Sequence, residues 1–244
     1  MKPFFEILEA CTSTNTLMSS RTDVPHGSVL AARMQSQGRG QRGNSWESEP
    51  GCNLTFSLML RPEALPAARQ FELSMVVSLA IADAIDALLP PGVQTTVKWP
   101  NDIYIGLGKV CGILIENKLR GTHIDSSIVG AGINVNQRDF ISDAPNPVSI
   151  IHYNGGLKTD LDSFLRDVTH RITSDWDAYS TAPDPDALSA RYFARLLWTS
   201  GDHPFRDAAG HTFHSHITAV ASDGTLTLAN GRTFLFKEVS FIIP

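Results

Sequence analysis

Four stretches of the chain combine residue types suited to binding or activating a ligand. Gly38-Arg39-Gly40-Gln41-Arg42-Gly43 interleaves glycines with arginines. Glycines let backbone amides approach a ligand closely, and guanidinium groups offer planar donors to carboxylate or phosphate oxygens. Lys98-Trp99-Pro100-Asn101-Asp102 sets an amide and a carboxylate just past a proline at a strand end, where ligand sites of α/β proteins gather. Lys109 stands alone in the apolar run Gly108-Lys109-Val110-Cys111-Gly112-Ile113-Leu114-Ile115-Glu116. Gly130-Ala131-Gly132-Ile133-Asn134-Val135-Asn136 puts small residues on one strand face and asparagines at the strand's end. Each also has an ordinary explanation: a solvated loop, an Asn-Asp turn, an edge lysine that discourages aggregation, or tight strand packing. Taken singly, the stretches leave both explanations open.

Two familiar phosphate loops are excluded by context. The glycines at 38, 40 and 43 satisfy G-x-G-x-x-G, but a polar stretch over 44–51 and then a strand follow, where a dinucleotide fold needs a helix. Gly108-Lys109 is followed by Val110 where the P-loop needs Ser or Thr, and Ile103 stands where it needs its first glycine. His214 and His216 are expected to share a face of one strand, but with His211 they lack a Cys or carboxylate at ligand spacing and read as surface positions. Cys11 and Cys111 read as small buried fillers.

These residues must be positioned by a chain of 244 residues with 20 Lys+Arg, 25 Asp+Glu, net charge −5 and 42% hydrophobic content. That supports one large core with a small appended domain and excludes a predominantly disordered chain. A pI of about 5.9 argues against a generic nucleic-acid coat. Three widely spaced cysteines favour reduced thiols in a cytosolic protein. The first nine residues carry acids where a signal peptide needs an apolar run. The most apolar window, 73–89, is broken by Ser74, Ser78, Asp83 and Asp86, so it reads as a buried helix and not a membrane span.

Strands are expected at 29–32, 53–60, 93–99, 109–116 and 124–135, with a hairpin through Ile103 to Gly108. Phe71, Met75, Leu79, Ala82, Ile85 and Leu89 recur at helical spacing within 65–89, and Pro90-Pro91-Gly92 stops that helix. A long surface loop holding a short helix fills 137–160, followed by helices at 161–179 and 186–196. Short strands at 212–217, 225–228 and 233–236 are separated by the turn pairs Asp223-Gly224 and Asn230-Gly231. The expected fold is α/β (α+β): a mixed sheet with helices packed on one side, over 1–195, and a small C-terminal β-barrel over 196–244.

Five motifs, in this order and at these gaps, resemble the biotin–protein ligases. They are Ser13-Thr14-Asn15, Gln35-x-x-Gly38-Arg39-Gly40-x-Arg42-Gly43-x-x-Trp46, Lys98-Trp99-Pro100-Asn101-Asp102, Lys109-x-x-Gly112-Ile113-Leu114-x-Glu116, and Gly130-x-Gly132-Ile133-Asn134-Val135-Asn136. The resemblance runs from residue 4 to about 136, and more weakly through Asp223-Gly224, Leu226 and Phe236-Lys237-Glu238-Val239. It implies activation of biotin by ATP to biotinyl-5′-adenylate with release of pyrophosphate. Transfer to a lysine of a biotin carboxyl carrier protein or domain would follow.

By that resemblance Lys109 is the catalytic cation that bridges the biotin carboxylate and the α-phosphate, and Arg39 holds the same two groups. Ser13, Thr14, Asn15 and Gln35 would bind the ureido head, with Gly38, Gly112, Gly130 and Gly132 leaving room for rings and acyl chain. Arg42, Asn101, Asp102 and Asn134 would hold phosphates, Asp102 with Mg²⁺, and Trp46 would cover the site. Gln41 replaces the arginine of the best-known members, which implies a weaker grip on the adenylate. No DNA-binding segment precedes the motifs, so a cytoplasmic ligase without DNA binding is expected. A lipoate or octanoate ligase or transferase of the same superfamily is the nearest alternative. A non-catalytic biotin sensor is another, against which Lys109 and Arg39 argue. Strand 124–135 is expected to be an edge, open to a second copy in a homodimer or to the carrier.

Overall fold

The computed structural model describes residues 1–38, 40, 46–141 and 146–244. Its main sheet comprises β1 (Phe5–Cys11), β2 (Val29–Gln35), β3 (Leu54–Leu60), β4 (Thr95–Lys98), β5 (Asp102–Ile105), β6 (Gly108–Arg120) and β7 (His123–Ile133), in the order β1-β2-β3-β7-β6-β5-β4. Only β1 and β2 run parallel. One face packs against α2 (Phe71–Asp86) and α3 (Leu161–Thr181), with α4 (Pro185–Ala194) against α2. Leu54, Phe56, Leu58 and Leu60 of β3 join that core. The opposite face carries a short helix the periodicity did not announce, α1 (Thr14–Ser20), whose Met18 packs with Leu30, Met59 and Ile128. β3 is therefore buried on both faces, more than its alternating sequence suggests.

Helix α2 is buried nearly all round, being held between the sheet, α3 and α4. Its Glu72 is enclosed but partnered: Arg69 donates through Nε and a terminal nitrogen at 2.6 and 2.9 Å, and the Tyr179 hydroxyl donates at 2.7 Å. A buried carboxylate needs such partners. Cys111 is wholly buried, and burial pushes its thiol pKa up, whereas Cys11 is only half-buried.

Two expectations are corrected. Strand 124–135 is not an edge. The two-residue Gly121-Thr122 turn folds β7 back on β6, and β3 pairs along its other side. The outer strands are β1 and β4, and β4 is covered where the Val97 amide donates to Arg195 O and the Leu197 amide to Val97 O. The loop over 137–160 is not all surface. Ser149, Ile150 and Ile151 are buried, and the Ile150 amide donates to Asn134 O.

The C-terminal residues form two three-stranded antiparallel sheets. β8 (His203–Asp207) lies between β9 (Thr212–Ser215) and β13 (Val239–Phe241), and β11 (Leu226–Leu228) lies between β10 (Ile217–Val220) and β12 (Thr233–Phe234). Trp198, Phe205, Phe213, Phe234 and Phe241 pack ring against ring, some stacked and some edge to face. β8 is masked in sequence by His203, Pro204, Arg206 and Asp207, and β13 by its three-residue length. His214 and His216 do not share a strand, because β9 ends at Ser215. Among the described residues no group of three or more His, Cys, Asp or Glu side chains is placed to hold a metal, and no helix is long and apolar enough to cross a membrane.

Candidate active site

Regular alternation along β6 would turn Lys109 and Cys111 to the same face. A bulge at Val110 prevents this, since Tyr104 of β5 opposes Lys109 and Ile103 opposes Cys111. Val110 and Cys111 both enter the core, while Lys109 and Gly112 face the open side with Leu114. The Lys109 backbone is gripped from its other flank: its amide donates to Asn146 O at 2.8 Å, and the Val148 amide donates to Lys109 O at 3.0 Å.

The open face holds a cavity of ≈ 1020 Å³. Ser13, Thr14, Asn15, Gln35, Trp46, Asn101, Asp102, Lys109, Gly112, Gly130, Gly132 and Asn134 all line it. Gly38 does not. It lacks the left-handed backbone that favours glycine, and a Cβ there would meet the Trp46 carbonyl oxygen at 2.8 Å. Arg39, Gln41 and Arg42 lie outside the described residues.

One end of the cavity is polar. The Thr14 amide and hydroxyl both donate to Gln35 Oε1, at 2.7 and 3.2 Å. Asn15 Nδ2 donates to Glu116 Oε2 at 2.7 Å. Ser57 Oγ lies 2.8 Å from Thr14 Oγ1 and 2.5 Å from Asn15 Oδ1, and its single proton serves one of them at a time. The Ser13 hydroxyl caps α1 by accepting from the Thr16 amide. Asn15 reaches this position only because residue 130 is glycine: a Cβ would lie 2.3 Å from Asn15 Oδ1. Ser57 and Glu116 stand behind the lining residues and carry no role in the sequence reading. The signal for Ser57 was a polar residue between the apolar Phe56 and Leu58 on the same strand face as Thr55 and Met59.

The middle is a floor of small residues. The Trp46 indole lies across Gly112 and Gly132, where a Cβ would come within 2.9 and 2.4 Å of the ring. Lys109 Nζ is 5.9 Å from the same ring's centroid. Trp46 Nε1 and Asn134 Oδ1 are buried with no hydrogen-bond partner among the described residues. From the level of Asn134, whose amide donates to Val110 O, to Gly130 is four strand residues. That is about 13 Å at the usual rise.

Beyond the floor the cavity is charged. Lys109 Nζ pairs with Asp102 Oδ2 at 2.8 Å. Asn101 is buried and donates to Ile113 O at 3.2 Å, and Asn134 Nδ2 donates to Val148 O at 3.1 Å. Lys98 and Tyr104 share this face. Burial lowers the Lys98 pKa, with Asp102 opposing that effect and Lys109 adding to it, and burial raises that of Tyr104. Phe236 and Lys237, in the turn between β12 and β13, and Phe241 of β13 complete the wall.

Fold and site together define an α/β protein that offers a slot, polar at one end and cationic at the other, on the open face of a mixed sheet. A sequence profile of the biotin/lipoate A/B protein ligase family matches residues 7–134, more than half of the chain. A bifunctional ligase/repressor BirA of Bacillus spizizenii is 34% identical over 216 residues, covering 86% of this chain. The chain spans 63% of that protein's length. A biotin--[acetyl-CoA-carboxylase] ligase of Paracoccus denitrificans is 34% identical over 171 residues, 66% of this chain and 69% of that protein. The chain belongs to the biotin/lipoate A/B protein ligase family. In fold it resembles the biotin protein ligase of Aquifex aeolicus solved with biotin and ATP, with a TM-score of 0.81, 24% identity and 99% of each chain covered.

Proposed function

We propose that the protein is an ATP-dependent biotin–protein ligase that forms biotinyl-5′-adenylate and passes biotin to a lysine of a carboxyl carrier domain. One observation carries biotin over lipoate or octanoate: the hydrogen-bonded array of Thr14, Asn15 and Gln35 at the closed end. A ureido head offers two N–H donors and a carbonyl to such an array. A dithiolane or a methyl terminus offers this array neither donor nor acceptor, so it would displace water from polar side chains without replacing the hydrogen bonds that water made. The rings and acyl chain would take the glycine floor in place of the Trp46 indole, which lies there in the ligand-free chain, and the length of the slot would bring the carboxylate to Lys109.

At that point a carboxylate must meet an α-phosphate. A carboxylate oxygen attacks phosphorus, the bond to the β-phosphate bridging oxygen breaks, and pyrophosphate leaves with the electron pair. An ammonium has three donors. Asp102 takes one from Lys109, which leaves two, one for each anion, and fixed charge there offsets their repulsion. In the second step the acceptor amine attacks the acyl carbon, releasing AMP and a proton. Displaced from the floor, the Trp46 indole would lie over the bound ligand and exclude water from the hydrolysable mixed anhydride. Arg39 and Arg42 are assigned to the same anions by family resemblance.

Mg²⁺ suits the oxygen donors present. It takes one or two carboxylates together with substrate phosphates, and in the lining of the cavity Asp102 would supply a carboxylate and Asn134 Oδ1 an unpartnered oxygen. It would supply further neutralisation of phosphate charge. We also propose that residues 196–244 form a module that closes the nucleotide end, on the support of Phe236, Lys237 and Phe241 in the cavity wall.

The test is ATP–pyrophosphate exchange with biotin, lipoate and octanoate in turn, followed by transfer of labelled biotin to a carrier domain. Biotin-dependent exchange and labelling are expected. Exchange with lipoate or octanoate alone would refute the reading.

A further inference from the structure

Across the sheet the cavity is ordered: the polar end lies over β3 and β7, the glycine floor over β7 and β6, Lys109 on β6, Asp102 and Tyr104 on β5, and Lys98 on β4. Lys98 is therefore two strand spacings, about 10 Å, beyond the strand that carries Lys109. Its ammonium lies 5.8 Å from the Tyr104 ring centroid and 5.3 Å from that of Phe241, a residue of β13. Ring faces favour a cation there. The nearby carboxylate, Asp102, is taken by Lys109. Among the described residues no carboxylate forms an ion pair with Lys98. Withdrawing an ammonium from water without an anion is unfavourable, and burial accordingly lowers its pKa.

We infer that Lys98 is a second substrate-facing cation, which binds the β- and γ-phosphates of the nucleotide and the pyrophosphate they become. This rests on the ligase reading above and adds the direction of the reaction across the sheet. Displacement at phosphorus is in line, so the leaving group departs opposite the attacking oxygen. With the acid entering from the β7 side and meeting the α-phosphate at Lys109, pyrophosphate leaves toward β4. When the bond from the α-phosphorus breaks, the electron pair stays on the β-phosphate oxygen, and Lys98 meets that charge. The transfer step forms no pyrophosphate and makes no demand on Lys98.

The two half-reactions are measured separately in Lys98→Gln and Lys98→Arg, with biotin binding as the check on folding. In Lys98→Gln, biotin-dependent ATP–pyrophosphate exchange is expected to fall roughly ten- to hundredfold, the size of a lost charge-assisted hydrogen bond. Transfer from preformed biotinyl-adenylate to the carrier should stay within about twofold, and Lys98→Arg should retain most of the exchange. Unchanged exchange in Lys98→Gln would overturn the inference. So would loss confined to transfer, which would instead make Lys98 the base for the acceptor amine, or loss of biotin binding, which would make it structural. If the unaltered protein exchanges with no acid, the ligase reading fails and takes this one with it.

Discussion

The chemistry of the site comes down to where a few donors point. Lys109 is held by Asp102 on one side and backed by its own backbone bonds to Asn146 and Val148, so its ammonium is set before substrate arrives. On the ligase reading proposed above, replacing it with alanine removes the charge that would join two anions but touches nothing at the polar end of Thr14, Asn15 and Gln35, to which the biotin head is assigned. Lys109→Ala is therefore expected to lower adenylate formation by about 10²–10³-fold, the range for removing one preorganised group from a developing charge. Biotin affinity by calorimetry should change little. Equal turnover in a pyrophosphate-release assay would refute the role. Lys109, the asparagines and the glycines were legible because their spacing matched a family pattern. Ser57 and Glu116 were not, because each acts from behind a lining residue, and a serine in an apolar strand looks like packing. Lys98 was visible as a motif letter only. Its missing ion-pair partner depends on which strands neighbour β4, and no local pattern encodes that.

At the scale of elements, the site depends on the bulge in β6. Strand existence followed from apolar runs and turn pairs, but a bulge leaves no mark on those runs. Alternation alone would have aimed Lys109 and Cys111 alike. Gly108 belongs to the same device: a Cβ on it would lie 2.3 Å from Val148 Cγ1, a branched side chain that cannot move aside without displacing the segment gripping Lys109. Gly108→Ala should destabilise the protein by about 1–3 kcal/mol, the usual range for overpacking, and slow adenylation together with stability. Gly108→Ala combined with Val148→Ala should recover much of both, because the second change removes the obstructing methyls. Thermal melts and exchange rates on all four members of that cycle measure the coupling. Additive losses would show that the close approach is incidental.

At the scale of the molecule, the sequence reading divides the chain near residue 195, and composition does change there. The packing crosses that line. Phe205, Ile217, Leu226, Phe234 and Val239 belong to the same buried cluster as α2 and the main sheet. Trp99, next to Lys98 in the cavity wall, donates from Nε1 to Gly224 O at 3.0 Å. A truncation in the C-terminal sheets should then be felt at the site. Phe205 is fully buried, stacks on Phe213 and meets Trp198 and Phe241 edge to face, so Phe205→Ala is expected to cost about 3–5 kcal/mol. For a chain of this size that is a fall of roughly 10 °C in Tm. With a continuous core the loss should lower one cooperative transition, the same whether followed by far-ultraviolet circular dichroism or by tryptophan fluorescence. If residues 196–244 melt first and leave a folded remainder that still binds biotin, the two parts are energetically separate, and the C-terminal wall contributes contacts to the nucleotide end without contributing to the stability of the sheet.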